Sequence, residues 1–274
     1  MNNVGILGFG NMGRAISESI KNNYGVFAFD KEKDKTRNVS GVKIALDVET
    51  LVAESEAIIL AVKPQDFDDL LAILKNAKQI DKKLIISIAA GITTTYIGTY
   101  LGSARVVRVM PNLPIKVNKG ISCICKGAQA TDDDLDFTKG IFANLGETLA
   151  LDEAMMDAAT AISGSGPGYF CEVVKDKNNA EIKQYAIEVF IPQLVEAAGS
   201  VGFDPKQASL LAETTTHGTI ALLNQERLSA EELKQRVASK GGTTEAALEI
   251  LSGGGNLKDA VKAALKRAQE LSRR

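Results

Sequence analysis

The 274-residue chain has one histidine, three cysteines, almost no net charge and no apolar run near the roughly 20 residues that span a bilayer. Each shortage removes a class of function. The lone imidazole, His217 in "TTTHGT", has no second histidine with which to hold a metal, and its place in an expected helix marks it as a core or interface residue. An odd number of cysteines makes no disulfide framework. Cys123 and Cys125 lie two apart in "GISCIC" and share one strand face, and Cys171 is the only other thiol. All three are expected to be buried small hydrophobes, and no metal site is expected. A formal net charge of -2, from 32 basic and 34 acidic residues, gives no field to gather nucleic acid or an anionic membrane. The chain opens directly on a strand-like run without a signal-peptide pattern, so a cytoplasmic protein is expected.

What remains is average in composition, with 45% hydrophobic and 24% charged residues, which points to neither disorder nor a fibre. The length suits two domains. Up to about residue 150, strand-like runs alternate with helical ones. Strands are predicted at 3–9, "YGVFAFD", "EAIILAV", "KLIISIAA", "ARVVRVMP" and "GISCICKG", and helices at 11–22, 47–54, 66–76, 94–101 and 131–145. Such alternation implies a mostly parallel sheet covered on both faces. Beyond that point the chain reads as helical, over 152–162, within 168–199, and over 205–224, 230–238, 244–251 and 256–272. Asp204 before Pro205, Ser229 with Glu232, and Asn256 give helix starts, while "GGG" at 253–255 stops a helix. Helices such as "AIEVFIPQLVEAAG" are apolar on more than one face and need more than one neighbour, which predicts at least a homodimer.

The segment "GILGFGNMGRA" sets Gly8, Gly10 and Gly13 in G-x-G-x-x-G between a predicted strand and helix. In that context the first glycine permits a tight turn, the second leaves room for a pyrophosphate at the helix start, and the third lets helix and strand approach. Asp30 ends the second strand where a carboxylate would accept the hydroxyls of an adenosine ribose, which favours NADH. Lys31, Lys33, Lys35 and Arg37 follow and could hold a 2′-phosphate, or form an ordinary solvated helix start. The choice between NADH and NADPH stays open.

Oxidising an alcohol needs a group to take the hydroxyl proton, and the one histidine is poorly placed for it. A protonated imine needs no such base. "AVKPQ" at 61–65 and "SIAAG" at 87–91 end strands at the carboxyl edge of the sheet. "RVMPNLP" at 108–114 is a loop fixed by prolines, and "SGSGPGYF" and "SKGGTTEAAL" are glycine-rich helix entries. The last sets backbone N–H groups and the Thr243 and Thr244 hydroxyls where a carboxylate could bind, unless the threonines serve only as caps.

These segments, with "VASKGGTTEAAL" the most specific, resemble pyrroline-5-carboxylate reductase over nearly the whole chain. The resemblance implies an α/β fold: an N-terminal dinucleotide-binding (Rossmann) domain over 1–150 and an all-helical C-terminal dimerisation domain over 151–274, with partner subunits completing the active site. It implies hydride transfer from NADPH or NADH to the C=N carbon of a cyclic imino acid, L-1-pyrroline-5-carboxylate, giving L-proline. On the same basis Leu7, Gly8, Phe9, Gly10, Asn11, Met12, Gly13, Asp30, Ala61, Val62, Lys63, Pro64, Ala89, Ala90 and Gly91 should bind the cofactor. Thr243, Thr244, Glu153 and Ser239 should meet the substrate, with Thr244 and Lys63 closest to the chemistry. Leu113, Lys240, Val48 and Arg236 depart from residues usual in that family. The stretch after "SGSGPGYF" looks longer than its counterpart and should form an extended helix pair or protruding loop, kinked or ended at Pro192. A β-hydroxyacid dehydrogenase, with Lys175 beside Asn178 or Asn179, and a dinucleotide sensor without turnover are the rival readings.

Overall fold

A computed structural model describes residues 1–272, and the first 150 of them build one eight-stranded sheet. Its strands are β1 (Asn3–Leu7), β2 (Gly25–Phe29), β3 (Lys43–Ile44), β4 (Ala57–Leu60), β5 (Leu84–Ser87), β6 (Arg105–Pro111), β7 (Gly120–Lys126) and β8 (Gly146–Ala150), in the order β3-β2-β1-β4-β5-β6-β7-β8. Every neighbouring pair is parallel except β6 and β7, which run antiparallel. All residues of β4 and β5 are buried, as continuous apolar runs in a sheet covered on both faces must be.

One face of the sheet packs on α2 (Val48–Glu54), α3 (Phe67–Lys75) and α4 (Thr94–Leu101), through Leu51, Phe67, Leu71 and Ile97. The other packs on α1 (Asn11–Ile20) and α5 (Asp132–Ala143), through Ile16, Ile20, Ile141 and Phe142. The sequence reading omits β3 and β8. β3 is two exposed residues at the edge, and β8, "GETLA", buries none of its residues, so neither carries the apolar run that marks a strand.

After Ala150 the described residues form only helices: α6 (Met156–Ala159), α7 (Gly166–Val174), α8 (Asn179–Tyr185), α9 (Ile191–Ser200), α10 (Pro205–Glu226), α11 (Ala230–Val237), α12 (Thr243–Ser252) and α13 (Leu257–Leu271), with short 3-10 and π turns between some of them. The predicted starts are in place. Asp204 accepts the Lys206 and Gln207 N–H groups ahead of Pro205, Ser229 and Glu232 close a capping box, and Asn256 accepts the Asp259 N–H. Gly253 ends α12, and Gly254 follows with φ +82°.

Of the two expected outcomes at Pro192, an end to the helix does not occur. The chain runs helically from Asn179 to Ser200, and Ala186–Phe190, just before the proline, is a π turn. A proline has no N–H to give and its ring crowds the carbonyl four residues back, and one widened turn relieves both problems. The segment after "SGSGPGYF" is therefore a helix pair, α7 and the α8–α9 run, joined by residues 175–178.

The two halves touch closely. A methyl group at Gly218 of α10 would overlap the Lys119 carbonyl oxygen, so only glycine lets that helix seat against the loop between β6 and β7. His217 beside it is exposed, which removes the core alternative for the single imidazole.

Candidate functional site

β1 delivers the chain to Gly8, whose φ of +94° only glycine adopts without strain, and where a Cβ would stand 2.6 Å from the Ala61 carbonyl oxygen. A methyl on Gly13 would overlap the Gly8 carbonyl oxygen, so α1 lies directly on the loop. At Gly10 a Cβ would meet nothing within 4 Å. Two glycines serve packing, and the third faces open space.

Gly10 is also the N-cap of α1, which has neither a capping side chain nor an acidic residue in its first turn. Its N–H groups are free to receive an anion, and the positive end of the helix favours one. Here a cleft of about 420 Å³ opens at the carboxyl ends of β1, β2 and β4, lined by Leu7, Gly8, Gly10, Asp30, Ala61, Val62 and Lys63 among others. Val48, Leu70 and Ile73 make one part of its wall apolar. An open glycine cradle, free helix N–H groups, a carboxylate and an apolar wall fit the pyrophosphate, ribose and adenine of a dinucleotide.

Asp30 is held from both sides. Its Oδ2 accepts the Phe9 N–H at 2.7 Å and its Oδ1 the Glu32 N–H at 2.9 Å. The cations that follow it are mostly paired: Lys31 with Asp66 at 2.7 Å, Lys35 with Glu32 at 2.7 Å, and Arg37 with Asp34 at 2.9 Å. The Asp66 carboxylate raises the Lys31 pKa, and that of Glu32 raises Lys35. Lys63 is exposed and has no ion pair among the described residues.

The remaining expected cofactor residues lie off the cleft wall. Phe9 is buried and contributes its N–H to Asp30, while Asn11 and Met12 open α1. Pro64 is exposed beyond β4. Ala89 is buried, Ala90 is half-buried, and Gly91 turns with φ +76° where a Cβ would stand 3.1 Å from the Leu271 carbonyl oxygen. The "SIAAG" segment therefore ends beneath the last turn of α13.

In the helical half, Thr243 and Thr244 converge on Ser165. Thr244 donates to the Ser165 Oγ at 3.0 Å, and the Thr243 hydroxyl lies 2.9 Å from it. Neither threonine caps α12. Its N-cap is Gly242, with no capping side chain, so the N–H groups of its first turn stay available. Ser239 is exposed, and its carbonyl closes the turn onto the Gly242 N–H.

Glu153 accepts both the N–H and the hydroxyl of Thr94 and lies 3.7 Å from the Arg108 guanidinium. All cleft-lining residues fall between Leu7 and Ile73, so within one chain Glu153, Ser239, Thr243 and Thr244 do not reach the cleft wall.

Sequence reasoning missed one cluster. Arg108, 2% exposed, pairs with Asp157 at 3.4 Å, and Asp157 also accepts the Ser272 hydroxyl at 2.7 Å. Two signals were legible: an arginine inside the apolar run "RVVRVM", and acids at 153 and 157 spaced for one helix face. "RVMPNLP" proves to be a joint. Met110 packs on Gly164, and the Asn112 carboxamide oxygen accepts the Ile121 N–H at 2.9 Å.

Lys175, the lysine of the dehydrogenase reading, pairs with Glu172 at 2.8 Å on the surface, and Asn178 is occupied in capping α8. The three thiols are buried as expected, and burial pushes each pKa up to about 12. No described helix is long and apolar enough to cross a membrane.

Residues 185–274 match the family profile for pyrroline-5-carboxylate reductase dimerisation, and residues 3–91 match that for coenzyme F420-dependent NADP oxidoreductases. The chain is 33% identical to the pyrroline-5-carboxylate reductase of Methanosarcina acetivorans, over 98% of this chain and 96% of that one. It is 34% identical to that of Arabidopsis thaliana, over 85% of this chain and 79% of that one. Among solved structures it is similar to a pyrroline-5-carboxylate reductase from Coxiella burnetii, with 30% identity, a TM-score of 0.65 and coverage of 100% and 99% of the two chains. It is also similar to the Plasmodium falciparum pyrroline carboxylate reductase with NADP bound, with 26% identity, a TM-score of 0.63 and coverage of 99% and 100%.

Proposed function

The chain belongs to the pyrroline-5-carboxylate reductase family, and on that premise we propose that its two halves divide one reaction between them. The protein is an oxidoreductase that converts L-1-pyrroline-5-carboxylate to L-proline, the last step of proline biosynthesis, using NADPH or NADH. The observation that carries the site assignment is the Gly8–Gly10–Gly13 cradle at the carboxyl edge of the sheet, with space left only at Gly10.

Residues 1–150 form the dinucleotide domain and 151–274 the substrate and dimerisation domain. Leu7, Gly8, Gly10, Asp30 and Ala61 to Lys63 hold the dinucleotide from the cleft wall, the first turn of α1 at Asn11 to Gly13 offers it backbone N–H groups, Phe9 anchors Asp30, and Pro64 and Ala89 to Gly91 flank it toward its nicotinamide end. When bound, the dinucleotide supplies the hydride for the ring C=N carbon. The imine nitrogen arrives protonated, so no side chain has to remove a proton, and positioning supplies most of the rate. The uncapped first turn of α12 receives the substrate carboxylate, Ser165 fixes the Thr243 and Thr244 side chains there, and Lys63 sets the field near the nicotinamide.

The substrate residues lie off the cleft wall of their own chain, which supports a site completed by a second subunit and a working unit that is a homodimer or larger. The match of 185–274 to a dimerisation profile supports this, as does Ile187, which is 64% exposed in a single chain. Three unpaired thiols favour a cytoplasmic setting.

The test follows NADPH and NADH oxidation in parallel by the purified protein, with and without the imine, alongside a concentration-dependent mass measurement. Imine-dependent oxidation by a dimer or larger assembly is expected. Dinucleotide binding without turnover would make the protein a sensor, and a strictly monomeric active species would remove the shared site.

A further inference from the structure

We propose that Asp30 makes this protein select NADH over NADPH. The inference rests on the dinucleotide reading of the cleft and concerns the corner where the two cofactors differ, the 2′ position of the adenosine ribose.

The Asp30 side chain is 7% exposed, and its two carboxylate oxygens are fixed by two different backbone donors, the Phe9 N–H within the glycine loop and the Glu32 N–H just beyond β2. It therefore cannot swing out of the cleft wall when a ligand enters. Each oxygen keeps a free lone pair, enough to accept ribose hydroxyls. A 2′-phosphate in the same place would bring a charge of about -2 against a carboxylate held out of water.

A cation could cancel that repulsion, but the lysines on the cleft wall beside Asp30 are already matched. Lys31 is 2.7 Å from Asp66, and Lys35 is 2.7 Å from Glu32 and 3.8 Å from Asp30 itself. Lys33 and Arg37 do not line the cleft. Lys63 does, but it follows β4, and β1 lies between β4 and β2 in the sheet, so this lysine stands on the far side of the glycine loop from Asp30. Altogether the wall carries four carboxylates, Asp30, Glu32, Asp66 and Asp69, against three lysines. Arg14 donates to the Lys35 carbonyl at 2.6 Å but does not line the cleft, so the wall around Asp30 offers acceptors to hydroxyls and no unpaired cation to a phosphate.

Direct binding tests this without catalysis. NADH and NADPH are titrated separately into the full-length protein, following the fluorescence of the reduced nicotinamide with no imine present. The wild type should bind NADH at least about tenfold more tightly, the scale of hydrogen bonds to a charged group. Asp30→Asn, which removes the charge and keeps one acceptor, should narrow the gap by tightening NADPH. Asp30→Ser should close or reverse it.

Should either variant fold poorly, Asp66→Asn leaves Asp30 intact and releases Lys31, and it should shift the ratio of affinities severalfold toward NADPH. Equal or tighter NADPH binding by the wild type, or an unchanged ratio in folded variants, overturns the inference and leaves the dinucleotide reading standing. Binding of neither dinucleotide overturns both.

Discussion

Gly10 and Gly13 stand three residues apart in one loop, yet the same substitution should affect them in opposite ways. Gly10→Ala adds a methyl to open space, so its stability should stay within about 0.5 kcal/mol of wild type while dinucleotide affinity falls about tenfold or more. Gly13→Ala drives a methyl into the Gly8 carbonyl. The cost of overpacking, about 1–3 kcal/mol, outweighs the gain of up to about 1 kcal/mol in helix propensity. Urea melts and fluorescence titration of both variants separate the two effects. The buried thiols make a second expectation. Cys123, Cys125 and Cys171 have pKa values pushed up to about 12, against 9.0 for an unburied thiol. Above pH 9 the unfolded chain releases thiol protons that the folded chain keeps, so the folded state binds more protons and stability falls as pH rises from about 9 toward 12. Urea midpoints at pH 8 and pH 10 should show that drop, and a thiol reagent at pH 8 should find no reactive cysteine until the protein unfolds. At this scale the glycine loop and the aspartate that anchors it were legible, because a glycine pattern and a strand-end aspartate are local signals. The pairing of Arg108 with Asp157 was not, since 49 residues separate them and only the folded chain brings them together.

Helix starts were the most legible elements, because a cap is written in three or four consecutive residues. Asp204, Ser229 and Asn256 all make the bonds that their spacing implied. The structure adds a box at Asn178, which accepts the Ala180 and Glu181 N–H groups while Glu181 accepts the Asn178 N–H. Asn178→Ala should cost about 1 kcal/mol, read as a lowered thermal midpoint, because α8 starts on the surface without other support for those donors. β3 and β8 were invisible for the opposite reason. A two-residue edge strand and a strand with no buried residue are defined by their neighbours, which no local pattern reports. The π turn before Pro192 belongs with them. Sequence shows that a proline must disturb a helix, but whether the chain stops or widens depends on what packs around it, and here Phe190 is buried against Phe170 at 5.0 Å between ring centroids.

For the molecule as a whole, the joint between sheet and helices is electrostatic at its centre. Arg108 comes from β6, Asp157 from α6, and Glu153 from the turn before α6. Arg108→Met keeps most of the volume but leaves two partly buried carboxylates without their cation, and it should lower stability by about 3 kcal/mol in a urea titration. The antiparallel step in the sheet bears on the order of events in time. β6 and β7 are joined by residues 112–119, whereas pairing β1 with β4 must close residues 8–56, a difference of about 1.6 kcal/mol in loop entropy. The hairpin side of the sheet can therefore form early and locally, while the glycine-loop side waits for distant segments to meet. During folding the cleft at the glycine loop is thus among the last features to exist, and a dinucleotide bound there, as proposed, would act on the newly made chain as a late fastener for that side of the sheet.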